Sequence, residues 1–267
     1  MREITVRSLS GLLYVAIIVS AALYSNLALI VVLFLFTVLA LFEFQRLLHY
    51  KSPIPFLFFG LLVYQFYTEI LINTLHFGLL VISFFMNFLL AFMLIKKKSF
   101  VFSPFQKSGL TLFHLISSGY FIIASTSFES SWMNGITLSM YFLIWTNNSF
   151  AYLAGKKWGK TPLFPEVSPK KTWEGFWGGA FACFLLSIVL LSLHPEFKFW
   201  VFPILALIII VAATLGDLIQ SKFKREAQVK DSGSLIPGHG GFYDRMDSVL
   251  YTAPFVNLFL IFVNYVS

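Results

Sequence analysis

The chain has 267 residues, of which 58% are hydrophobic and only 12% charged, whereas a soluble domain is about 25% charged. Its mean hydropathy is +0.82, and a soluble fold of this composition would expose more apolar surface than water tolerates. Long apolar runs recur from Leu12 to Val266 and leave no room for a separate soluble domain. The composition therefore predicts an integral membrane protein.

Nine segments are long and apolar enough to cross a bilayer, which takes about 20 mostly apolar residues. They predict an all-α integral membrane protein of about nine transmembrane helices. The predicted spans are 9–24, 27–46, 54–73, 75–95, 107–126, 134–154, 173–193, 199–220 and 248–266. Spans one and two read as a tight hairpin turning at Ser25-Asn26, and the stretch 54–95 admits a different division around Asn73–His76.

The distribution of basic residues predicts the orientation of these spans. With the N-terminus in the cytoplasm, 18 of the 19 Lys and Arg residues fall on the cytoplasmic side, and only Lys198 does not. Basic residues concentrate on the cytoplasmic side of membrane proteins, so we expect a cytoplasmic N-terminus and a C-terminus outside. The net charge of +7 follows largely from this topology and requires no nucleic-acid partner.

Polar chemistry is concentrated in two cytoplasmic loops, 155–172 and 221–247, and the chain is accordingly divided into two regions. Residues 1–130 form an N-terminal region of spans 1–5, and residues 131–267 form a catalytic region of spans 6–9 with both loops. Glu43, near the inner end of span 2, could face the same polar region, but an interfacial position is the favoured interpretation.

All four aspartates of the chain fall within residues 217–247. Asp217 lies in the eighth span, where a charged side chain costs about 2.5–3.5 kcal/mol on insertion scales. It shares one helix face with Ser221 and Lys224, because the three are spaced i, i+4 and i+7. The structural alternative is an interfacial aspartate paired with these two neighbours and without further function.

Asp244 and Asp247 open the ninth span beside a glycine-rich turn. An acidic pair in a first helical turn suits the helix dipole, so capping alone could explain it. Capping does not require the bases and glycines of the same segment, however. Mg²⁺ is held by one or two carboxylates together with substrate phosphates, and Lys and Arg neutralise phosphate oxygens. The segment therefore looks like a metal–phosphate site.

His239 lies in the same turn and is ambiguous by itself. No histidine or cysteine stands at the spacing of a zinc site. No P-loop or Rossmann glycine pattern is present either, so a nucleotide would be held by other residues.

Residues 221–247 resemble the signature of the CDP-diacylglycerol synthase (phosphatidate cytidylyltransferase) family. That signature reads S-x-x-K-R, four residues, K-D, then a short spacer to P-x-H-G-G-x-x-D-R-x-D, and it matches without a gap. The matched residues are Ser221, Lys224, Arg225, Lys230, Asp231, Pro237, His239, Gly240, Gly241, Asp244, Arg245 and Asp247. A match at so many fixed positions is highly specific.

Residues 145–175 look like a second pattern of the same family, A-Y-x-x-G-(R/K)-x-x-G-K followed by S-P-x-K-T-x-E-G. The matched residues are Ala151, Tyr152, Gly155, Lys156, Gly159, Lys160, Ser168, Pro169, Lys171, Thr172, Glu174 and Gly175. Capping by Ser168 or Thr172 and topology signals from the lysines are the structural alternative. Beside the first match, we interpret the segment as a basic nucleotide-phosphate cradle. The family usually has Asp where this chain has Asn148, which offers a carbonyl oxygen but no charge.

The resemblance implies that CTP and phosphatidate react to give CDP-diacylglycerol and pyrophosphate for phospholipid biosynthesis. Such a transfer depends on positioning and charge neutralisation more than on covalent help. The implied catalytic residues are Ser221, Lys224, Arg225, Lys230, Asp231, His239 and Arg245. The implied substrate-binding residues are Tyr152, Lys156, Lys160, Ser168, Lys171, Thr172, Glu174, Gly240 and Gly241. Asp217, Asp244 and Asp247 would hold one or two divalent ions, Mg²⁺ above all, and a monovalent ion could accompany them.

The same resemblance implies a homodimer in the cell (inner) membrane, with its site facing the cytoplasm and the bilayer as a partner. Two alternatives stay open at this point. A CTP-dependent polyprenol or phytol kinase would use similar carboxylates and bases. An ion-coupled transporter would use Asp217 as its ion site, although such proteins often show internal repeats and broken helices, and the sequence shows neither.

Overall fold

The computed structural model describes residues 2–70, 73–128, 135–236 and 240–266, with side chains described from residue 9 onward. Within these ranges the chain forms nine helical rods and one short β-hairpin. The helices are α1 (Arg2–Tyr24), α2 (Asn26–Leu47), α3 (Ile54–Tyr67), α4 (Asn73–Ile95), α5 (Pro104–Leu110), α6 (Ser117–Ala124), α7 (Gly135–Trp158), α8 (Trp173–Leu193), α9 (Val201–Glu226) and α10 (Tyr243–Val266). A π-helical segment, Thr111–Ile116, joins α5 and α6 into one rod, and strands β1 (Pro162–Phe164) and β2 (Ser168–Thr172) lie between α7 and α8.

Six of the described rods are long and apolar enough to cross a membrane by length and composition. They are α2, α4, the α5–α6 rod, α8, α9 and α10. The apolar parts of α1 and α3 are shorter, and α7 carries two asparagines and two lysines. The mostly helical membrane fold is confirmed, whereas the count of nine spans and the orientation of the termini stay predictions.

Several predicted boundaries were wrong. The third span ends at Tyr67 instead of residue 73, and just beyond it Glu69 adopts a positive φ of 56°. Helix α9 continues to Glu226 and α10 begins at Tyr243, so the loop predicted at 221–247 is confined to 227–242. Most of the signature's charged side chains are therefore held on helices.

Local capping explains where several helices begin. Ser25 accepts a hydrogen bond from the backbone N–H of Ala28 at 3.0 Å and caps α2, in agreement with the predicted hairpin at Ser25-Asn26. Ser103 and Gln106 form a capping box at the start of α5. Thr172 caps α8 by accepting from the backbone N–H of Gly175 at 3.1 Å.

The last four helices pack closely on one another, with α7 against α8, α8 against α9 and α9 against α10. Glycine permits the tightest of these crossings, because a Cβ atom added at Gly175 would lie 2.7 Å from the carbonyl oxygen of Ala151. Helix α10 also contacts α2, α4 and α6, and the buried residues form one continuous core. The predicted division between the two regions, at residue 130, lies outside the described residues.

The β-hairpin is the main element that the all-α prediction missed. Its strands are antiparallel, with Pro162 opposite Thr172 and Phe164 opposite Ser168. The backbone oxygen of Val167, in the turn, accepts a hydrogen bond from Arg225 Nε at 3.4 Å. The hairpin is thereby tied to the end of α9, and β2 lies beside the helices that carry the aspartates.

Candidate active site

A pocket of about 690 Å³ opens at the hairpin end of the bundle. Its walls come from α7, the hairpin, α8, α9 and α10, so the two motif segments meet in space. Ten of the predicted site residues line it: Tyr152, Lys156, Lys171, Thr172, Asp217, Lys224, Asp231, Asp244, Arg245 and Asp247.

Lys171 of β2 forms an ion pair with Oδ2 of Asp217 on α9. The other oxygen of Asp217 accepts a long hydrogen bond, 3.4 Å, from the hydroxyl of Ser221 one turn further along the helix. The predicted helix face is thus confirmed for these two residues. The structural alternative also paired Asp217 with Lys224, but Lys224 binds elsewhere.

Lys224 instead forms an ion pair with Asp244, at 2.7 Å from Oδ1. The same oxygen accepts from Nε2 of Gln220 at 2.8 Å. Oδ2 accepts from the backbone N–H and the hydroxyl of Ser232, at 2.7 and 2.9 Å, and from the backbone N–H of Gly241 at 3.0 Å. Asp244 therefore fastens α9, the following loop and α10 together, and five donors occupy its two oxygens.

Asp247 is more weakly engaged. Among the described residues its one hydrogen-bond donor is the backbone N–H of Ser248, 2.6 Å from Oδ1. It lies close enough to Asp217 for the two carboxylates to repel, and Lys171 and Lys224 offset part of this repulsion. A carboxylate pair in a polar pocket fits a hydrated divalent ion, which uses one or two carboxylates.

The described residues contain no ready-made group of three His, Cys, Asp or Glu side chains arranged around a cation. Asp217, Asp231 and Asp247 all line the pocket with carboxylate lone pairs that no described donor takes up. Asp217 and Asp247 lie close enough to repel each other, so this pair could hold a metal ion. Asp244 fits this role poorly, because each added ligand bond would displace one of its present donors.

A chain of hydrogen bonds fixes the amides at the inner end of the pocket. The hydroxyl of Ser248 donates to the backbone oxygen of Ala213 at 3.2 Å, so it accepts from Nδ2 of Asn148 at 3.1 Å. Oδ1 of Asn148 in turn accepts from Nδ2 of Asn147 at 3.4 Å. Asn148 therefore works here as a donor to Ser248, a bond that an ionised aspartate could not make.

Other predicted residues lie outside the pocket lining and have structural contacts. Glu174 accepts from the backbone N–H groups of Lys160 and Thr161 at 3.0–3.2 Å, which fixes the chain between α7 and β1. Ser168 lies in β2 and is half-buried. Arg225 contacts the hairpin as described above, and Lys230 is exposed.

The glycine turn of the signature is only partly described. His239 lies outside the described residues, with Pro237 and Gly238. Gly240 has a positive φ of 81°, a conformation that glycine adopts without strain. A Cβ atom at Gly240 would lie 2.6 Å from Oδ2 of Asp244, so this glycine brings the backbone against the carboxylate instead of exposing it to a ligand.

Two polar residues of the pocket were missed by sequence reasoning, and a third residue, Glu43, was considered but placed at the interface. Gln220 and Asn147 line the pocket, and each has a buried amide oxygen without a described hydrogen-bond partner. Glu43, expected at the interface, is instead buried beside the loop 227–242, with 1% of its surface exposed. The one available signal in the sequence was a polar residue within an apolar helix. A buried polar group is costly without a hydrogen-bond partner, so such a residue indicates a polar contact.

Taken together, the pocket presents lysines, an arginine, aspartate carboxylates and two amide oxygens without a described partner. Lysine and arginine can hold phosphate oxygens, and carboxylates can hold the cation that accompanies a nucleoside triphosphate. This set of groups suits phosphoryl or nucleotidyl transfer between anionic substrates.

Comparison with known proteins gives a consistent result. Residues 5–263 match the sequence profile of the family described as Cytidylyltransferase family. The chain is 35% identical to a phosphatidate cytidylyltransferase of Staphylococcus haemolyticus over 176 residues, 65% of each chain. It is similar to proteins of the same name from Staphylococcus aureus, at 36% identity, and Staphylococcus epidermidis, at 33%. Both of these alignments cover 66% of this chain and 67% of the relative, so the chain spans about two thirds of the length of these curated relatives.

Proposed function

This chain belongs to the cytidylyltransferase family, and from that premise we propose that it transfers the cytidylyl group of CTP to phosphatidate. The products are CDP-diacylglycerol and pyrophosphate. The observation that carries the proposal is the joining of both motif segments in one pocket, where Lys171 meets Asp217. The names of the staphylococcal relatives support phosphatidate as the acceptor.

In the proposed reaction, a phosphatidate oxygen attacks the α-phosphorus of CTP. The bond from that phosphorus to the β-phosphate oxygen breaks, and pyrophosphate leaves with the electron pair. Lys171, Lys224 and Arg245 bind phosphate oxygens and stabilise the charge that develops on them. Ser221 orients Asp217 and is not the nucleophile, because phosphatidate supplies one. Lys156 and Tyr152, which line the pocket from α7, hold the nucleotide.

We also propose that the reaction requires Mg²⁺, with Asp217 and Asp247 as its protein ligands. When bound, the ion would screen the repulsion between two anionic substrates. Asp244, assigned to the metal from the sequence, orders Lys224 and the loop in this proposal, because its oxygens already accept five hydrogen bonds.

The proposed location is the cell membrane, with the pocket facing the cytoplasm. CTP is water-soluble and phosphatidate keeps its headgroup at the interface, so a pocket at one end of the apolar helices reaches both. The positive-inside rule supports this orientation, since the hairpin end carries the dense lysines. The family resemblance further supports a homodimer, which light scattering of the purified protein in detergent would measure.

The test uses purified protein, phosphatidate and CTP labelled either at the α- or at the γ-phosphorus. The proposal expects the α-label in the lipid product and the γ-label in pyrophosphate. Transfer of the γ-label to lipid would establish a lipid kinase instead. Solute uptake into proteoliposomes without CTP turnover would establish a transporter.

The metal assignment needs its own variants. Asp217→Ala and Asp247→Ala are expected to fold normally and to lose Mg²⁺-dependent product formation. Glu166→Gln, a carboxylate at the surface that pairs with Lys97, is the matched control and should retain turnover. Turnover like the wild type in both aspartate variants contradicts the metal assignment.

A further inference from the structure

Glu43 links the N-terminal helices to the proposed active site. It lies on α2 near the hairpin end of the bundle, and its side chain is almost fully buried. It does not line the pocket. Burying a carboxylate is costly unless hydrogen bonds compensate it, so its partners indicate why it is there.

Those partners belong to the loop 227–242 and to the start of α10. Oε2 of Glu43 accepts from the hydroxyl of Ser232 at 2.8 Å and from the backbone N–H of Tyr243 at 2.9 Å. Tyr243 is the first residue of α10, and the first N–H groups of a helix have no partner within the helix. Glu43 therefore caps α10 from another helix, where a negative group also suits the helix dipole.

The loop is shaped to fit this carboxylate. A Cβ atom added at either Gly233 or Gly241 would collide with the side chain of Glu43. A larger residue at either position would have to displace the side chain of Glu43 or move the loop away from α2. The bonds and the close contacts thus act in the same direction, holding the loop against α2.

The hydrogen bonds continue from Glu43 to the pocket. The hydroxyl of Ser232 lies within bonding distance of both Glu43 and Asp244, so its single hydrogen is shared between two carboxylates. Asp244 in turn binds Lys224, at 2.7 Å. Two intermediates therefore separate Glu43 from a lysine that lines the pocket, and Asp247 follows one turn after the capped end of α10.

We propose that Glu43 is a positioning residue: by holding Ser232 and the first turn of α10, it sets the positions of Lys224 and Asp247 in the pocket. Its kinetic consequence rests on the proposed function. Its structural consequence does not, and the two can be measured separately.

The kinetic test compares Glu43→Ala with Glu43→Gln. A 1 Å misplacement of a catalytic group can cost about 100-fold in rate, so Glu43→Ala should lower kcat by about 10- to 100-fold. The KM for CTP should change less than kcat, because Lys156 and Tyr152, which are proposed to hold the nucleotide, do not contact Glu43 or its partners. Glu43→Gln should restore most of kcat, since one carboxylate oxygen accepts both bonds and an amide oxygen can replace it.

The matched control is Thr37→Val on the same helix. Thr37 is fully buried and its hydroxyl has no described hydrogen-bond partner, so this variant should keep the kcat of the wild type. It separates loss of the loop contacts from a general disturbance of α2.

The structural test is hydrogen–deuterium exchange of the full-length protein in detergent, without substrate. Glu43→Ala should accelerate exchange at the amides of Ser232 and Tyr243, whereas Glu43→Gln and Thr37→Val should not. Wild-type exchange and wild-type kcat in Glu43→Ala overturn the proposal. So does a Glu43→Gln variant that is as slow as Glu43→Ala with normal exchange. If the wild type forms no CDP-lipid, the proposed function fails, and the exchange result alone decides the role of Glu43.

Discussion

Lys171 and Asp217 form an ion pair between the cytidylyltransferase motif segment on the hairpin and the one on α9. They are separated by the whole of α8 in sequence, yet they are in contact in the pocket lining. The pair couples the proposed phosphate-binding hairpin to a proposed metal ligand.

Replacing Lys171 should therefore affect turnover far more than stability. The two side chains are 27% and 30% exposed, and such exposed ion pairs contribute about 0–1 kcal/mol to stability. Removal of a group that stabilises transition-state charge costs about 100- to 1,000-fold in kcat. We expect Lys171→Met to unfold at nearly the wild-type temperature and to lose at least 100-fold in CDP-diacylglycerol formation.

Lys97→Met provides the comparison, because Lys97 pairs with Glu166 at the surface and is 63% exposed. It removes the same charge from the same type of pair and should leave turnover within about twofold, in keeping with the small effect of surface charges. Equal losses in the two variants would mean that the total positive charge matters, and not the position of Lys171.

Removing Asp244 should lower stability as well as activity. Its side chain is 7% exposed and paired with Lys224, and breaking a buried ion pair at one partner costs about 3–5 kcal/mol. Asp244→Ala should therefore unfold at a clearly lower temperature in detergent. Asp231→Ala is the stability control, because Asp231 is exposed and should unfold like the wild type. Equal unfolding temperatures would contradict the structural role of Asp244.

Substituting Asn148 by aspartate should strengthen cation binding. Asn148 lines the same pocket as Asp217 and Asp247, so an added carboxylate there raises the attraction for Mg²⁺. The hydroxyl of Ser248 would then donate to the new carboxylate and would lose its hydrogen bond to the backbone oxygen of Ala213. We expect Asn148→Asp to reach half-maximal rate at a lower Mg²⁺ concentration, with a higher KM for CTP.

Asn148→Ala tests the same position without added charge, and its Mg²⁺ requirement should not fall. The measurement is the initial rate of CDP-lipid formation across a Mg²⁺ titration at fixed CTP. An unchanged titration curve for Asn148→Asp would place the metal away from Asn148.

The close packing of α7 against α8 depends on Gly175. A methyl group at Gly175 would lie 2.7 Å from the carbonyl oxygen of Ala151, and overpacking of this kind costs about 1–3 kcal/mol. Gly175→Ala should therefore unfold at a lower temperature and bind CTP more weakly, because the crossing forms one wall of the pocket. Gly60→Ala in α3 meets nothing within 4 Å and should not destabilise the protein.

The helices were largely predictable because apolar length is a local property of the sequence. The residues at which the helices begin and end were less predictable. The charged ends of α9 and α10 read as loop, yet tertiary contacts such as the one from Lys224 to Asp244 hold them in helices. The β-hairpin was missed because Ser168-Pro169 and two lysines carry no strand pattern, and its strands are instead stabilised by each other and by Arg225.

For the candidate site, spacing along one helix predicted which side chains lie on the same face. It did not predict which hydrogen-bond or ion-pair partner each side chain binds. Asp217 and Ser221 were correctly placed together, whereas Lys224, predicted on the same face, pairs with Asp244. Glu43 shows the wider difficulty. Its partners Ser232 and Tyr243 lie about two hundred positions along the chain, and nothing in the spacing of a single sequence encodes such a contact.

The two ion pairs of the pocket also bear on how tightly it retains a product. Lys171 and Lys224 are each neutralised by an aspartate before any ligand arrives, so a phosphate must compete with a carboxylate for either lysine. Each aspartate can recover its lysine when the phosphate departs. In the proposed reaction, intramolecular competition of this kind would weaken the binding of pyrophosphate and would favour rapid release and repeated turnover over tight retention of the leaving group.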